Sequence, residues 1–355
     1  MNTKRNADRL ASMEVIEGNS GRLLCGLRNL GNTCFMNCVL QCVSATAPLS
    51  TYFVQGRYRH DLNRGTQGSL AEEYAELVKS LWLQSSWRRL SPRFFKEALV
   101  MKAARFAGTQ QHDCVELCIF LLDCLHGELN RARGELYLVL LPTAGASERA
   151  WASHANLHDS LIVDLFQGQL HSTIMCMTCE QKSSTFDPFM FLTLPIPIGS
   201  GPFSLEDCLR LFCKPEQVLW RCPQCKQDRE CTKQMGIYRM PPVLLIHLMR
   251  FSNDGPFRRK ILTLIRFPTE QLDMAGFVAG PPPLGTFSLY GVCNHIGTVS
   301  GGHYTSYCKN AYTQRWHHFN DSSVTAITES AVCGKNAYLL FYTSVDFRTT
   351  MPSLR

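Results

Sequence analysis

Apolar residues early in the chain recur at helical spacing. Met36, Val39, Leu40 and Val43 fall at i, i+3, i+4 and i+7, and Cys38 and Cys42 thicken the same side, which predicts a helix. Its polar stripe, Asn37, Gln41 and Ser44, is thin, so the helix is expected to be central and buried. Leu70, Tyr74, Leu77, Val78 and Leu81 mark the face of a second helix. A third is predicted from about Gln111 to Asn130, with Val115, Cys118, Ile119, Leu122, Leu125 and Leu129 turned inward.

Between Leu141 and Ser160 the run is small and polar with no clear period, and it reads as a loop or insertion. Beyond it the pattern changes. Phe189 to Leu194, Val243 to Phe251, Phe287 to Cys293, His303 to Cys308, Arg315 to Phe319 and Tyr338 to Tyr342 are short aromatic or β-branched runs. Gly, Pro and Asn punctuate them, as expected for an antiparallel sheet, and Pro281-Pro282-Pro283 reads as a loop. No internal repeat is visible. Helices first and strands later predict an α+β fold.

Composition adds limits. With 45% hydrophobic and 18% charged residues in 355, the chain has the balance of a folded globular protein. No apolar run reaches the roughly 18 residues of a membrane-spanning helix, and the polar N-terminal run has no apolar core of a leader. The net charge of +7 comes from scattered basic residues. The longest cluster, Arg258-Arg259-Lys260, is expected to be a solvated loop, so neither nucleic acid nor membrane is an expected partner. Seventeen cysteines, an odd number, fit a reducing compartment, where they serve as core residues, metal ligands or nucleophiles.

Four of them pair. Cys176-Met-Thr-Cys179 and Cys222-Pro-Gln-Cys225 are C-x-x-C knuckles 42 residues apart. Each such turn can present two thiolates, and four complete a tetrahedron around zinc with no open position. The expected metal is therefore structural. The separation requires a β extension between the knuckles.

Cys34 is different. It follows Gly31-Asn32-Thr33 at the start of the first predicted helix. A thiolate is favoured at a helix N-terminus, where unpaired N–H groups attract the anion. Asn32 or Thr33 is the expected N-cap, Gly31 permits a sharp turn, and Asn29, five residues upstream, is placed to offer an amide to an oxyanion. A base must come from eleven histidines. His247 lies in an apolar run and reads as core; of adjacent His317 and His318 one should face inward; His295 is expected to line a loop. His303 begins a predicted strand after Gly301 and Gly302, and Asn320 and Asp321 at a strand end can orient an imidazole.

Together these segments resemble a known family. "GLRNLGNTCFMNCVLQ" is similar to the cysteine box of the ubiquitin-specific proteases, and "LYGVCNHIGTVSGGHYTSYCKN", "WHHFNDSSV" and "AYLLFY" to their histidine box, over roughly Cys25 to Ser344. The resemblance implies a papain-like cysteine protease fold: a helical thumb, an antiparallel β palm and zinc-bearing fingers at about residues 165–250. It implies a catalytic domain over 25–345 between a polar N-terminal tail, 1–24, and a C-terminal tail, 346–355. It makes Cys34 the nucleophile, His303 the general base, Asn320 its orienting partner with Asp321 as helper, and Asn29 the oxyanion donor. "GTQQHDCVELC" is similar to a family segment that holds the tail of ubiquitin, which assigns Gln111, Asp113 and Glu116 to substrate, with Gly301 and Gly302 lining a channel for the two terminal glycines. Cys114 and Val115 depart from the commonest family form.

The activity implied is hydrolysis after the terminal glycine of ubiquitin, with ubiquitin and ubiquitinated proteins as partners and structural zinc in the fingers. The expected state is a monomer in cytoplasm, nucleus or both. The alternative is a ubiquitin-binding scaffold with an impaired site.

Overall fold

The computed structural model describes residues 24–63, 69–83, 89–132, 145–252, 259–298 and 301–350. The N-terminal tail expected at 1–24 lies outside the described residues except at its last position.

Most helices precede the strands. The principal ones are α1 (Cys34–Ser44), α2 (Ala47–Val54), α3 (Ser69–Leu83), α4 (Arg93–Lys102), α5 (Cys114–Glu128), α6 (Ala146–Leu157), α7 (Leu161–Phe166) and, between strands, α8 (Leu205–Phe212); short helices also form at Tyr58–Asp61 and Val345–Thr350. All of α1 is buried, its polar stripe included. The third predicted helix is trimmed to α5, and Ile119 is not inward: it is 40% exposed, while Leu117 and Leu121 are buried in its place. The inward face is centred about one position away from the one read from the apolar spacing.

The loop expected between Leu141 and Ser160 is mostly helix, α6, with residues 141–144 outside the described residues. Its apolar period is weak because polar contacts hold it. Gly145 N donates to Glu148 Oε2 at 3.1 Å, Gln169 Nε2 donates to Ser147 O at 3.1 Å, and the Arg239 guanidinium lies 4.9 Å from the Trp151 ring centre.

Strands follow: β1 (Gly168–Cys176), β2 (Lys182–Phe189), β3 (Phe191–Leu194), β4 (Glu216–Cys222), β5 (Gln227–Arg239), β6 (Val243–Leu248), β7 (Phe287–Gly297), β8 (Gly302–Lys309), β9 (Trp316–Asn320), β10 (Ser323–Ile327) and β11 (Ala337–Ser344). They build two larger sheets. A four-stranded antiparallel extension has the order β2-β1-β5-β4, and a seven-stranded sheet runs β10-β9-β8-β7-β11-β6-β3. The second was expected to be antiparallel throughout, but its edge strand β3 pairs with β6 in parallel. A connection through one helix, Leu205–Phe212, and the two extension strands β4 and β5 lies between those two strands, long enough to return the chain in the same direction. Architecture is thus α+β, with the N-terminal helices on one face of the large sheet and α8 on the other.

Both faces of that sheet are covered, which explains its continuous apolar runs. Along β11, Leu339 and Phe341 join a core shared with the helices, while Leu340 and Tyr342 join a second core with Leu205, Cys208 and Leu209 of α8. Gly291 on β7 lets α1 approach, since a Cβ there would sit 3.4 Å from Cys42 Sγ. Two sequence expectations change here. His295 is a buried residue of β7, not a loop residue. Of the basic cluster, Arg258 lies outside the described residues, and Lys260 is not simply solvated, because its ammonium donates to His295 O at 2.6 Å.

One carboxylate joins three helices. Glu128, buried at the end of α5, accepts from Leu70 N and Ala71 N at the start of α3 (3.5 and 2.7 Å) and pairs with Lys102 of α4 at 2.7 Å. Glu128→Ala strands two amides and a partly buried cation, and is expected to lower stability by roughly 2–4 kcal/mol. Urea unfolding checks this. Glu128→Gln keeps an acceptor and should lose less.

Candidate functional site

The loop before α1 is folded on one side chain. Asn29 Oδ1 accepts from Gly31 N (3.0 Å) and Thr33 N (3.1 Å), an Asx turn. Gly31 and Asn32 are left-handed, with φ of 101° and 54°, a region that glycine and asparagine tolerate. Asn32 Nδ2 donates to Thr109 O at 2.9 Å, tying the loop to the segment that leads into α5. Thr33 occupies the N-cap position, but its hydroxyl accepts from Leu30 N at 2.8 Å and caps nothing in α1. No side chain therefore covers the first turn of α1.

Cys34 opens that turn and is only 2% exposed. Its sulfur accepts from Gln111 Nε2 at 3.3 Å. The same amide clamps the start of β8: Nε2 donates to Gly302 O at 2.6 Å, and Gly302 N donates to Gln111 Oε1 at 3.1 Å. One amide nitrogen thus lies between the thiol and the residue preceding His303. His303 Nε2 is 2.7 Å from Asn320 Oδ1, so the imidazole and its expected partner meet across adjacent strands. Among the described residues Cys34 makes no hydrogen bond with His303. His295, whose ring packs on Tyr304 and Phe251, is driven by burial and by nearby Lys260 to a pKa of about 4. It is a neutral core ring. Burial also lowers the pKa of His247 and His318.

Asp321 was expected as a helper to the imidazole. Instead its carboxylate accepts from Asn29 Nδ2 (2.9 Å) and Asn37 Nδ2 (2.7 Å), and its carbonyl accepts from Leu27 N (2.9 Å). It is a brace between the end of β9 and the cysteine loop. A Cβ at Gly26 would come within 2.5 Å of the Ser322 backbone, so glycine is required where the two segments pass.

Asp113 and Glu116 are already engaged. Asp113 Oδ1 caps α5 through Val115 N at 2.7 Å, and its Oδ2 accepts from Tyr338 OH at 2.7 Å. Glu116 pairs with Arg105 at 3.1 Å, both well exposed. The two glycines differ: a Cβ on Gly302 would strike Ile296 O and His295 Nε2, whereas Gly301 has open space. Both glycines are exposed, but close backbone and ring neighbours forbid a side chain at Gly302 while Gly301 would tolerate one.

Asn37 and Tyr338 belong to this network and were not picked out as site residues. Asn37 is an amide on a helix expected to be buried, and the polar partners that such burial requires are the signal by which it could have been found. Nothing local marks Tyr338, whose partner Asp113 is 225 residues away.

The four knuckle cysteines converge at the tip of the extension, with all Sγ atoms within 4.8 Å of one another. The turns match. Glu180 and Lys226, each directly after the second cysteine, have φ of 57° and 56°, and their N–H groups donate to Cys176 O and Cys222 O at 2.9 and 2.8 Å. Backbone N–H groups of Cys179 and Thr178 draw the Cys176 thiol down to about 6, while desolvation and the neighbouring thiols raise Cys179 and Cys225, as expected where four sulfurs crowd together. The donor set fits a tetrahedral soft metal ion.

Comparison with known proteins agrees. The family model described as ubiquitin carboxyl-terminal hydrolase matches residues 25–342. Human ubiquitin carboxyl-terminal hydrolase 2 is 42% identical over 336 residues, 91% of this chain and 55% of that protein. The chicken protein of the same name is 43% identical over 345 residues, 93% of this chain and 95% of its own. The chain thus spans about half the length of the human relative. A solved structure, the SAGA Ubp8/Sgf11/Sus1/Sgf73 DUB module bound to ubiquitin aldehyde, superposes with a TM-score of 0.73 at 27% identity, covering 96% of this chain and 74% of that one. With a family model matched across both the cysteine loop and the histidine strand, the chain belongs to the ubiquitin carboxyl-terminal hydrolase family.

Proposed function

We propose that the chain is a thiol-dependent deubiquitinase that hydrolyses the isopeptide or peptide bond after ubiquitin's terminal glycine. The observation that carries this is the convergence of an uncapped helix start bearing Cys34 with the His303–Asn320 pair through Gln111. The similar module binds ubiquitin aldehyde, and the same chemistry is assigned here: a thiol attacking the carbonyl carbon of a C-terminal glycine.

In this reading residues 25–345 form the catalytic unit, with the helices as thumb, the large sheet as palm and the extension as fingers. The substrate tail displaces the Gln111 amide from the sulfur. His303 then takes the thiol proton, held in orientation by Asn320, and the thiolate attacks. The second hydrogen of Asn29 Nδ2, with the N–H groups of the first turn of α1, receives the oxyanion. His303 protonates the departing lysine amine, and water, activated by the same imidazole, hydrolyses the thioester. Open space at Gly301 admits a tail without side chains. Tyr338 and Asp113 supply polar groups along it.

Zinc in the knuckles would be held by Cys176, Cys179, Cys222 and Cys225, where it supplies cross-linking and no reaction chemistry. The four thiolates leave it no open site.

Covalent capture of Cys34 by a ubiquitin C-terminal electrophile, together with cleavage of linkage-defined di-ubiquitins that Cys34→Ser abolishes, is the expected result. Capture or cleavage failing in the intact chain would leave only a ubiquitin-binding scaffold. Asn29→Ala should lose roughly 3–4 kcal/mol of transition-state stabilisation, read as a fall in kcat on a ubiquitin–fluorophore with ubiquitin affinity retained. A variant that keeps normal turnover would remove Asn29 from the oxyanion site. Cys222→Ser should release metal and weaken ubiquitin binding while small thiol reagents still label Cys34; a purified chain free of zinc would contradict the metal assignment.

A further inference from the structure

A second group of thiols lies behind the site. Cys38 on α1, Cys114 at the start of α5 and Cys293 on β7 have Sγ atoms all within 4.8 Å of one another, and all three are buried. None belongs to the knuckles, and none has a role in the hydrolysis proposed above. A single buried cysteine is an ordinary small apolar residue. Three from three separate elements, with their sulfurs inside one coordination sphere, match the donor geometry of a metal site instead. Their polar contacts are sparse: Cys38 Sγ lies 3.2 Å from Phe35 O, and Cys293 Sγ lies 3.6 Å from Cys42 Sγ.

The number of donors selects the ion. Cys42 touches Cys293, and also Cys308 at 3.8 Å, but does not join the mutually close set. Among the described residues no fourth Cys, His, Asp or Glu joins the three. Structural zinc takes four protein ligands, one more than this group of side chains supplies. Thiolates favour Cu(I), zinc and iron–sulfur clusters alike, and of these the monovalent d10 copper ion is the one that three sulfur donors alone can complete.

We propose that Cys38, Cys114 and Cys293 form a buried three-thiolate site for Cu(I). Binding is a ligand substitution without electron transfer: sulfur–copper bonds form, copper loses its carrier ligands, and the thiol protons pass to solvent. The ion would sit one helical turn from Cys34, three residues from Gln111, and on the strand paired with that of His303, since Cys293 opposes Ser306 of β8. It would clamp α1, α5 and the β7–β8 hairpin together. The site stands whether or not the chain hydrolyses ubiquitin.

The test uses the full chain with Cys34→Ser, so that the nucleophile is not a ligand. The protein is produced with copper and zinc supplied, purified without oxygen and challenged with a Cu(I) chelator. One copper should remain beside the knuckle zinc, and X-ray absorption at the copper edge should show three sulfur neighbours. Cys114→Ala or Cys293→Ala should weaken copper retention by about 100-fold or more with zinc unchanged, whereas Cys118→Ala, also buried nearby, should retain it. Absence of copper, copper gained only as zinc is lost, copper persisting in the trio variants, or a disulfide among the three thiols each overturns the proposal. The sulfur count on the parent chain decides the matter even where a core variant fails to fold.

Discussion

The Asp321 carboxylate is the constraint on which the site depends. It lies in a left-handed turn, φ 48°, just after β9, and it shares its oxygens between Asn29 and Asn37, 292 and 284 residues away. Charge-assisted bonds of this kind are stronger than neutral ones and fix direction as well as distance. Cys34 lies between the two asparagines in sequence, and Asn320 is the neighbour of the aspartate. The position of the thiol relative to the imidazole's partner is therefore set largely by one side chain. Gly26 allows the two backbones to pass at the distance those bonds require.

Around this bolt the molecule is organised by where apolar surface is available. The large sheet separates two cores, one with the helices and one with α8, and each face of β11 and β6 serves one of them. The extension has no comparable resource. Its own buried cluster is Cys176, Cys222 and Cys231, with Ile174, Val218, Trp220 and Cys225 packed against it. So small a cluster stabilises little, and a metal ion held by the four thiols, as proposed above, would be the physical substitute. The matched left-handed turns at Glu180 and Lys226 are the backbone form that presents those sulfurs.

Much of this was legible before folding. Helical spacing located α1 and α3, and β-branched and aromatic runs located the large-sheet strands apart from β10, because each element buries a face whose period is written locally. The knuckles were legible for the same reason: each is a complete four-residue turn. α6 was missed because polar contacts and a cation–π pair hold it, and these leave no apolar period. The inward turn of α5 was misjudged at Ile119, since spacing defines a stripe but not where a neighbouring helix ends. His295 reads as a loop residue because it follows the recognisable run Phe287 to Cys293, whereas β7 continues past it to Gly297.

The chain's own order of residues determined most of its secondary elements and the C-x-x-C turns, and it singled out Cys34, His303 and Asn320 as the candidate chemical groups. Each of those rests on a local pattern or on a resemblance carried by contiguous segments. Tertiary structure alone decided that Gln111 bridges the thiol to Gly302, that Asp321 braces two asparagines, that Asp113 is shared between a helix cap and Tyr338, and that three core cysteines meet. These are contacts between side chains dozens to hundreds of positions apart. Their geometry follows from how helices pack on a sheet, and no period or motif in a one-dimensional string encodes that packing.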